Sequence, residues 1–414
     1  MLRILKTYFV FFCLCYTANA QHYIDGGNTR HRFAQLNLGV DQKTLFGASS
    51  SFALNSSGQV EKFKLSNLSE TRIVIGGTHF WGHSDFYIAI PVFAFGSNGF
   101  SSGVETGAKY YPWKIQHNKI RPYIGAAWLP ITYQQGQGTS FVRSKFPLIA
   151  GLAFNSKKHL FELGFGYNYD NSLNYYISPT YKSTVKTNPF WVSLSYKILI
   201  ETTLSAEKNW QIGKTQKLTD SLSTLKLLSG FTFSIGVSSA FFVTPSSHLA
   251  QVAPYADNHQ SSTIFPEFSL GYYFHKPDIQ LNVAYRSISS KLSAYDFSQT
   301  ANSKALTFEA YKFLFDYHGF VPFLGLSVSQ EWLNINEKDQ QNATQTNYNG
   351  LFPGFTFGWD IRPNRLQVFY LRTNLRYFPN LNVKMNTGKN QPLDRIEFNF
   401  IELVLLPERF MKFK

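Results

Sequence analysis

Apolar and polar residues alternate with a period of two along most of this chain. In His159–Tyr169, Phe161, Leu163, Phe165, Tyr167 and Tyr169 share one face, and Glu162, Gly164, Gly166 and Asn168 share the other. Phe231, Phe233, Ile235 and Val237 alternate with Thr232, Ser234, Gly236 and Ser238. Ile279, Leu281, Val283 and Tyr285 alternate with Gln280, Asn282, Ala284 and Arg286. That period is a strand's, with two unlike faces. An apolar face this aromatic, in segment after segment, is rare in a soluble sandwich.

About sixteen such segments are predicted. Eight lie near 33–41, 70–80, 84–95, 101–113, 119–133, 144–154, 159–170 and 188–200. Eight more lie near 229–243, 263–275, 278–290, 303–316, 319–333, 350–361, 364–378 and 394–406. Most reach the roughly 9–11 residues that a tilted strand needs to cross a bilayer. Their connections alternate between tight polar turns (GHS, NSKK, HKP, RPN) and long stretches such as NEKDQQNATQTNYN. Membrane barrels have this asymmetry, with short periplasmic turns and longer outer loops, and the parity puts both chain ends on the periplasmic side. Pro122, Pro147, Pro266, Pro322 and Pro353 fall near predicted strand starts, where a missing N–H costs least.

The two sets of segments echo one another. RPYIGAAW at Arg121 matches VPFLGLSV at Val321, and FAQLNLGV matches FTFSIGVS. HFWGHSDFYIAIPV matches YYFHKPDIQLNVAY, GAKYYPW matches EAYKFLF, FPLIAGLAF matches FPGFTFGWD, and KHLFELGFGYNY matches NRLQVFYLRTNLRY. Six matches in order predict a duplicated eight-strand unit. The expected organisation is a signal peptide over 1–20, one repeat over 21–200, a periplasmic linker over 201–228 and a second repeat over 229–414. Thr219-Asp220-Ser221 offers a cap for a short helix within that linker, which is otherwise read as plain connection.

The signal peptide is read from Arg3 and Lys6, the apolar run Tyr8–Tyr16 and the small-residue site Ala18-Asn19-Ala20. Cys13 and Cys15, the chain's only cysteines, fall inside it, so the mature protein is expected to have no disulfide or thiolate chemistry. Aromatic residues make up 17% of the chain and charged residues only 15%, against about 25% charged in ordinary soluble domains. No later window holds 18 consecutive apolar residues, so a closed sheet is the remaining way to satisfy every backbone polar group in lipid.

With the alternating aromatic strands, the loop parity and the final segment IEFNFIELVLLPERF, the chain resembles Gram-negative outer-membrane β-barrel proteins. The resemblance covers about 30–410, and implies an all-β, antiparallel transmembrane barrel in the bacterial outer membrane. It carries no motif of a named transporter or enzyme. Members of this class usually close on a terminal aromatic, a part that Phe410 or Phe413 would take here. Two closures remain open: one sixteen-strand barrel with an aqueous channel, preferred on frequency, or two side-chain-filled eight-strand barrels in tandem.

Twelve charged residues fall on the inward parity. They are Arg72, Glu105, Lys109, Arg121, Glu162 and Lys197 in the first repeat, and Glu267, Arg286, Asp360, Arg372, Arg376 and Glu397 in the second. They either line a water-filled pore and set its preference, or form buried pairs that fill a narrow barrel. His79, His83 and Asp85 have spacing reminiscent of a metal site, but the echo His275 and Asp278 points to a turn in which Asp bonds the backbone. Ser246, Ser247, His248, Asp257 and His259 share one outer loop without a recognisable catalytic signature. No enzyme activity, metal or cofactor is expected. The net charge of +14 is scattered, which suits lipopolysaccharide phosphates and membrane lipid better than nucleic acid. The expectation is a passive pore or solute-uptake protein. The alternatives are a structural or adhesion-type barrel that binds a partner through its outer loops and, behind it, an outer-membrane enzyme.

Overall fold

The computed structural model describes residues 34–412, apart from 47–48, 55–59, 66, 97–99, 135–139, 202–220, 226, 257–261, 317–319 and 363–368. The predicted signal peptide and most of the linker lie outside the described residues; 221–224 form a single helical turn. The first half comprises β1 (Ala34–Phe46), β2 (Ser49–Leu54), β3 (Val60–Leu65), β4 (Leu68–His79), β5 (Ser84–Phe95), β6 (Phe100–Ser102), β7 (Glu105–Tyr110), β8 (Lys119–Gln134), β9 (Ser140–Lys145), β10 (Leu148–Ser156), β11 (His159–Tyr167), β12 (Ser172–Ser178), β13 (Tyr181–Lys186) and β14 (Phe190–Glu201). The second comprises β15 (Gly230–Phe242), α1 (Ser247–Val252), β16 (Phe265–Phe274), β17 (Ile279–Ala294), β18 (Phe297–Phe313), β19 (Phe320–Lys338), β20 (Ala343–Ile361), β21 (Phe369–Phe378), β22 (Asn382–Lys384), β23 (Asn390–Pro392), β24 (Arg395–Leu405) and α2 (Pro407–Lys412).

These strands close two separate rings. In the second, β15, β16, β17, β18, β19, β20, β21 and β24 form a closed antiparallel barrel. In the first, β1, β4, β5, β7, β8, β10, β11 and β14 pair in sequence, and β8 pairs with β10 to complete the circle. The single sixteen-strand barrel favoured on frequency is therefore corrected. β1 is taken up by β14 (Leu38 opposite Ile198) and β15 by β24 (Val237 opposite Ile401), leaving neither edge to join the halves. Hairpins β2–β3, β12–β13 and β22–β23 stand outside the walls. The last strand stops at Leu405, and Phe410, expected to close it, lies in α2 instead; Phe413 is outside the described residues.

Residue parity decides which side of the wall each side chain takes. In β11 the apolar set Phe161, Leu163 and Phe165 points outward and is exposed, while Leu160 and Glu162 are buried. Around the second ring Phe231, Leu270, Phe308, Leu326 and Phe355 are all more than 50% exposed, at 51–64%. Apolar surface this continuous is unstable in water and at home in hydrocarbon.

Parity also tests the internal matches. Four keep corresponding positions on the same side, for example Arg121 with Val321 and Tyr123 with Phe323, all buried. Two do not: matching FAQLNLGV to FTFSIGVS puts buried Gln35 opposite outward Phe233, and matching FPLIAGLAF to FPGFTFGWD puts buried Ile149 opposite outward Phe355. A one-residue shift moves a whole strand's side chains to the other face.

The rings stand side by side with like orientation. At their short-turn ends Phe80 meets Phe320 edge-on, with centroids 4.6 Å apart. At the opposite ends Tyr295 donates its hydroxyl to Tyr176 O. Part-way up, Trp128 of the first ring meets Phe241 of the second at 4.1 Å. Between these contacts the outward faces line an open-sided cleft of about 90 Å³, bordered by Ile75, Phe86, Leu371, Phe398 and Phe400 among others.

Candidate functional site

All twelve charged residues marked by parity are buried within the two rings. They form two separate networks. In the first ring, Lys43 Nζ lies 2.5 Å and Arg72 Nη1 2.8 Å from Glu105 Oε2, and Tyr87 donates its hydroxyl to Glu105 Oε1 at 2.7 Å. Arg72 also donates from Nε to Asp41 at 2.8 Å. Lys109 and Lys197 meet at Glu162 Oε2, at 2.6 and 3.0 Å, and Lys197 reaches Asp85 at 2.9 Å. Arg121 plays another part. It donates to the carbonyls of Gly82 and Trp113, at 2.8 and 3.1 Å, and to Asn155 Oδ1 at 3.2 Å, tying down the ring's short-turn end.

In the second ring Arg376 bridges Glu267 and Glu309, with Nη1 2.8 Å from Glu267 Oε2. Arg372 donates to Asp360 Oδ1 at 2.7 Å and lies over the rings of Phe323 and Tyr311 at 4.9 and 5.0 Å. Arg286 pairs with Glu397, which also accepts from Arg395 Nε at 2.7 Å; Arg395 in turn reaches Glu331 at 2.5 Å. Parity reasoning missed Asp41, Lys43, Asp85, Glu309, Glu331, Arg395 and Glu402, each buried in a wall strand. The same alternation could have found Asp41 and Lys43, because outward Val40 and Gln42 flank Asp41.

A buried charge persists only if partnered, because several kcal/mol of lost hydration must be offset in place. These pairs, with aromatic rings packed between them, leave little space. The void among Asp41, Arg72, Glu105, Lys109 and Lys197 measures about 10 Å³, and the one beside Ser303, Glu331 and Arg395 about 20 Å³. One water needs roughly 10–15 Å³. Packing is tight enough that a Cβ on Gly166 would sit 1.9 Å from Trp191 Cε2.

The long-loop end of the second ring carries a lid. Phe242, Leu333, Ile335 and Phe352 of the wall pack with Leu381, Val383, Met385 and Leu393 of the β22–β23 segment. Leu249 and Ala253, from α1 and its C-cap, pack against Leu292 and Phe297. His248 holds these parts together: Nε2 is 2.8 Å from Glu337 Oε1 and Nδ1 is 2.8 Å from Thr387 Oγ1. Ser246 caps α1 by accepting from Leu249 N at 3.1 Å. Ser247 donates to Asn390 O at 3.0 Å, so Ser246, Ser247 and His248 of the possible catalytic loop all have structural duties, and Asp257 and His259 lie outside the described residues. On the neighbouring hairpin Asp339 accepts from the amides of Gln341 and Asn342, at 2.8 and 2.6 Å, which holds its carboxyl below the ordinary aspartate range.

His79, His83 and Asp85 do not converge. The His79 ring packs on Phe86 in the seam, His83 Nδ1 is 2.8 Å from Tyr111 O, and Asp85 accepts from Asn37 and Lys197 inside the ring. The turn-bonding role expected of Asp85 is corrected accordingly. Asp278 does sit in a turn, with φ 51°, but its carboxylate accepts from Tyr273 at 2.6 Å. Among the described residues no group of three or more His, Cys, Asp or Glu could hold a metal ion.

The fold is that of a membrane-embedded β-barrel protein. No family model matches the chain, and no curated protein matches it. Among solved structures, neisserial surface protein A aligns at 14% identity and TM-score 0.32, over 43% of this chain and 98% of its own. An outer membrane channel from Pseudomonas putida F1 aligns at 8% identity and TM-score 0.21, over 90% and 95%. OmpT, an outer membrane protein of Vibrio cholerae, aligns at 8% identity and TM-score 0.19, over 90% and 97%. Likeness this weak says nothing of what the chain does.

Proposed function

We propose that this chain is an exported, integral outer-membrane protein, cleaved near Ala20 and arising by duplication of an eight-strand unit. Its two barrels act as filled, non-enzymatic supports for outer-end structures that meet a partner. This is the structural or adhesion-type alternative rather than the passive pore. Free diffusion through a lumen needs width, and two eight-strand rings have only enough for side chains. The observation that carries the reading is the void of about 10 Å³ at the centre of the first ring's charge network. The lid over the second ring supports it, because a lumen built for bulk flow has no use for a hydrophobic core across its mouth.

Planar-bilayer recording tests this reading. Folded protein inserted at neutral pH should give no steady ohmic steps. Stable, long-lived steps from protein with intact barrel mobility would overturn the support reading in favour of a pore.

A further inference from the structure

Strands β17, β18, β19 and β20 run for 16, 17, 19 and 19 residues, whereas β16, β21 and β24 run for 10, 10 and 11. Only about 9–11 residues are needed to cross the bilayer, so the outer halves of these four strands stand clear of it. Their register stacks the outward side chains in level rows. The last apolar row holds Leu306 and Leu351, both exposed. Directly above it Lys304 lies opposite Trp332, which is 47% exposed, at the height where aromatic side chains mark the membrane boundary.

The next row is built of amides and hydroxyls: Ser289, Asn302, Asn334 and Asn347 lie opposite one another across all four strands. Ser289 donates to Asn302 Oδ1 at 2.8 Å, and Asn334 Nδ2 donates to Asn347 Oδ1 at 2.6 Å, so the row is held in order. Lys291 and Lys338 occupy rows higher still, and with Lys304 they are exposed. No outward position of these rows holds Asp or Glu. At about 3.4 Å rise per residue, the three lysines span roughly 20 Å of height on a sheet roughly 14 Å wide.

We infer that this face docks the phosphorylated sugar core of lipopolysaccharide standing in the same leaflet. The inference rests on the outer-membrane reading above, and it deepens it by naming what an outer-end surface meets. Charge complementarity carries it. Lys291, Lys304 and Lys338 outnumber the two exposed carboxylates nearby, Asp296 and Asp339, which lie in the hairpin turns above the rows and accept from Gln340 and from the amides of Gln341 and Asn342. The cations suit phosphate groups, and ordered side-chain amides suit sugar hydroxyls. The lowest lysine lies in the first row above the apolar belt, level with the start of such a core. A free glycan would have no reason to meet a face that begins at the membrane.

The test uses the full chain in detergent micelles. It is titrated with rough lipopolysaccharide bearing its core phosphates, with the same material dephosphorylated, and with lipid-free polysaccharide. The wild type should prefer the phosphorylated form by about tenfold or more, and the preference should fall with added salt. K291Q/K304Q/K338Q should abolish it, while K157Q/K158Q/K276Q at the short-turn end should keep it. Equal binding of the dephosphorylated form, wild-type binding by the first triple variant, or equal binding of lipid-free polysaccharide would each overturn the docking assignment. Barrel mobility on gels and strand-type circular dichroism are read in parallel. Protein that folds and inserts but ignores the phosphates sinks the docking site alone. Protein that never enters micelles or vesicles sinks the membrane reading with it.

Discussion

Replacing Arg376 by methionine removes the cation that two carboxylates share. Arg376 is 1% exposed and meets Glu267 through both terminal nitrogens and Glu309 through Nε. Without it Glu267 keeps Ser238 at 3.0 Å and Asn399 at 3.3 Å, and Glu309 keeps the Tyr311 hydroxyl. Those neutral donors cannot offset two buried negative charges. Losing one partner of a buried pair costs about 3–5 kcal/mol, whereas replacing a whole cluster by apolar residues of similar volume is often neutral or stabilising by about 1–4 kcal/mol. R376M should therefore lose about 3–5 kcal/mol, and R376M/E267M/E309M should recover most of it. Reversible urea unfolding in lipid vesicles, followed by tryptophan emission, measures both. If R376M unfolded within about 1 kcal/mol of the wild type, water would be solvating the exposed carboxylates and the filled-barrel reasoning would fail.

Two further outcomes follow from packing. G166V would force the Trp191 indole from its place over the glycine, and should lower the urea midpoint by an overpacking cost of about 1–3 kcal/mol; an unchanged midpoint would mean that the first ring's interior has slack. H248A removes the tie between α1, Glu337 and Thr387. Amide exchange should quicken over 246–256 while the wall strands keep their protection, and equal protection in both proteins would show that the lid holds without it.

Much of the wall could be read from alternation, because parity reports which face a side chain takes without saying what it meets. The segment read at 159–170 is β11 at His159–Tyr167, and 188–200 is β14 at Phe190–Glu201. Ring closure could not be read this way. Whether β1 takes β14 or β24 as its neighbour depends on a pairing between residues far apart, such as Gln35 with Glu201, and either edge offers the same backbone groups. The outer halves of β17–β20 were equally opaque. Ala343–Tyr348 is polar or small on both faces, so a strand there resembles a loop in sequence. Asp41 was legible in principle as the last residue of the segment predicted over 33–41, whereas Lys43 lies beyond it, because β1 continues to Phe46. The partners of each buried charge depend on the other strands: Glu162 meets cations from β7 and β14.

Cysteine cross-linking tests the two-ring closure most directly. With Cys13 and Cys15 replaced by serine the chain has no thiol. Cysteines can then be placed at Leu38 with Ile198, and at Ile235 with Leu403, which are opposed pairs on β1–β14 and β15–β24. Directly opposed residues lie about 4.5–5.5 Å apart, within disulfide reach. The account predicts that both pairs oxidise readily in membranes, each link confined to its own half of the chain. Failure of both pairs, with ready oxidation instead between cysteines on β1 and β24, would mean that the sheet closes once around all sixteen strands and would contradict it.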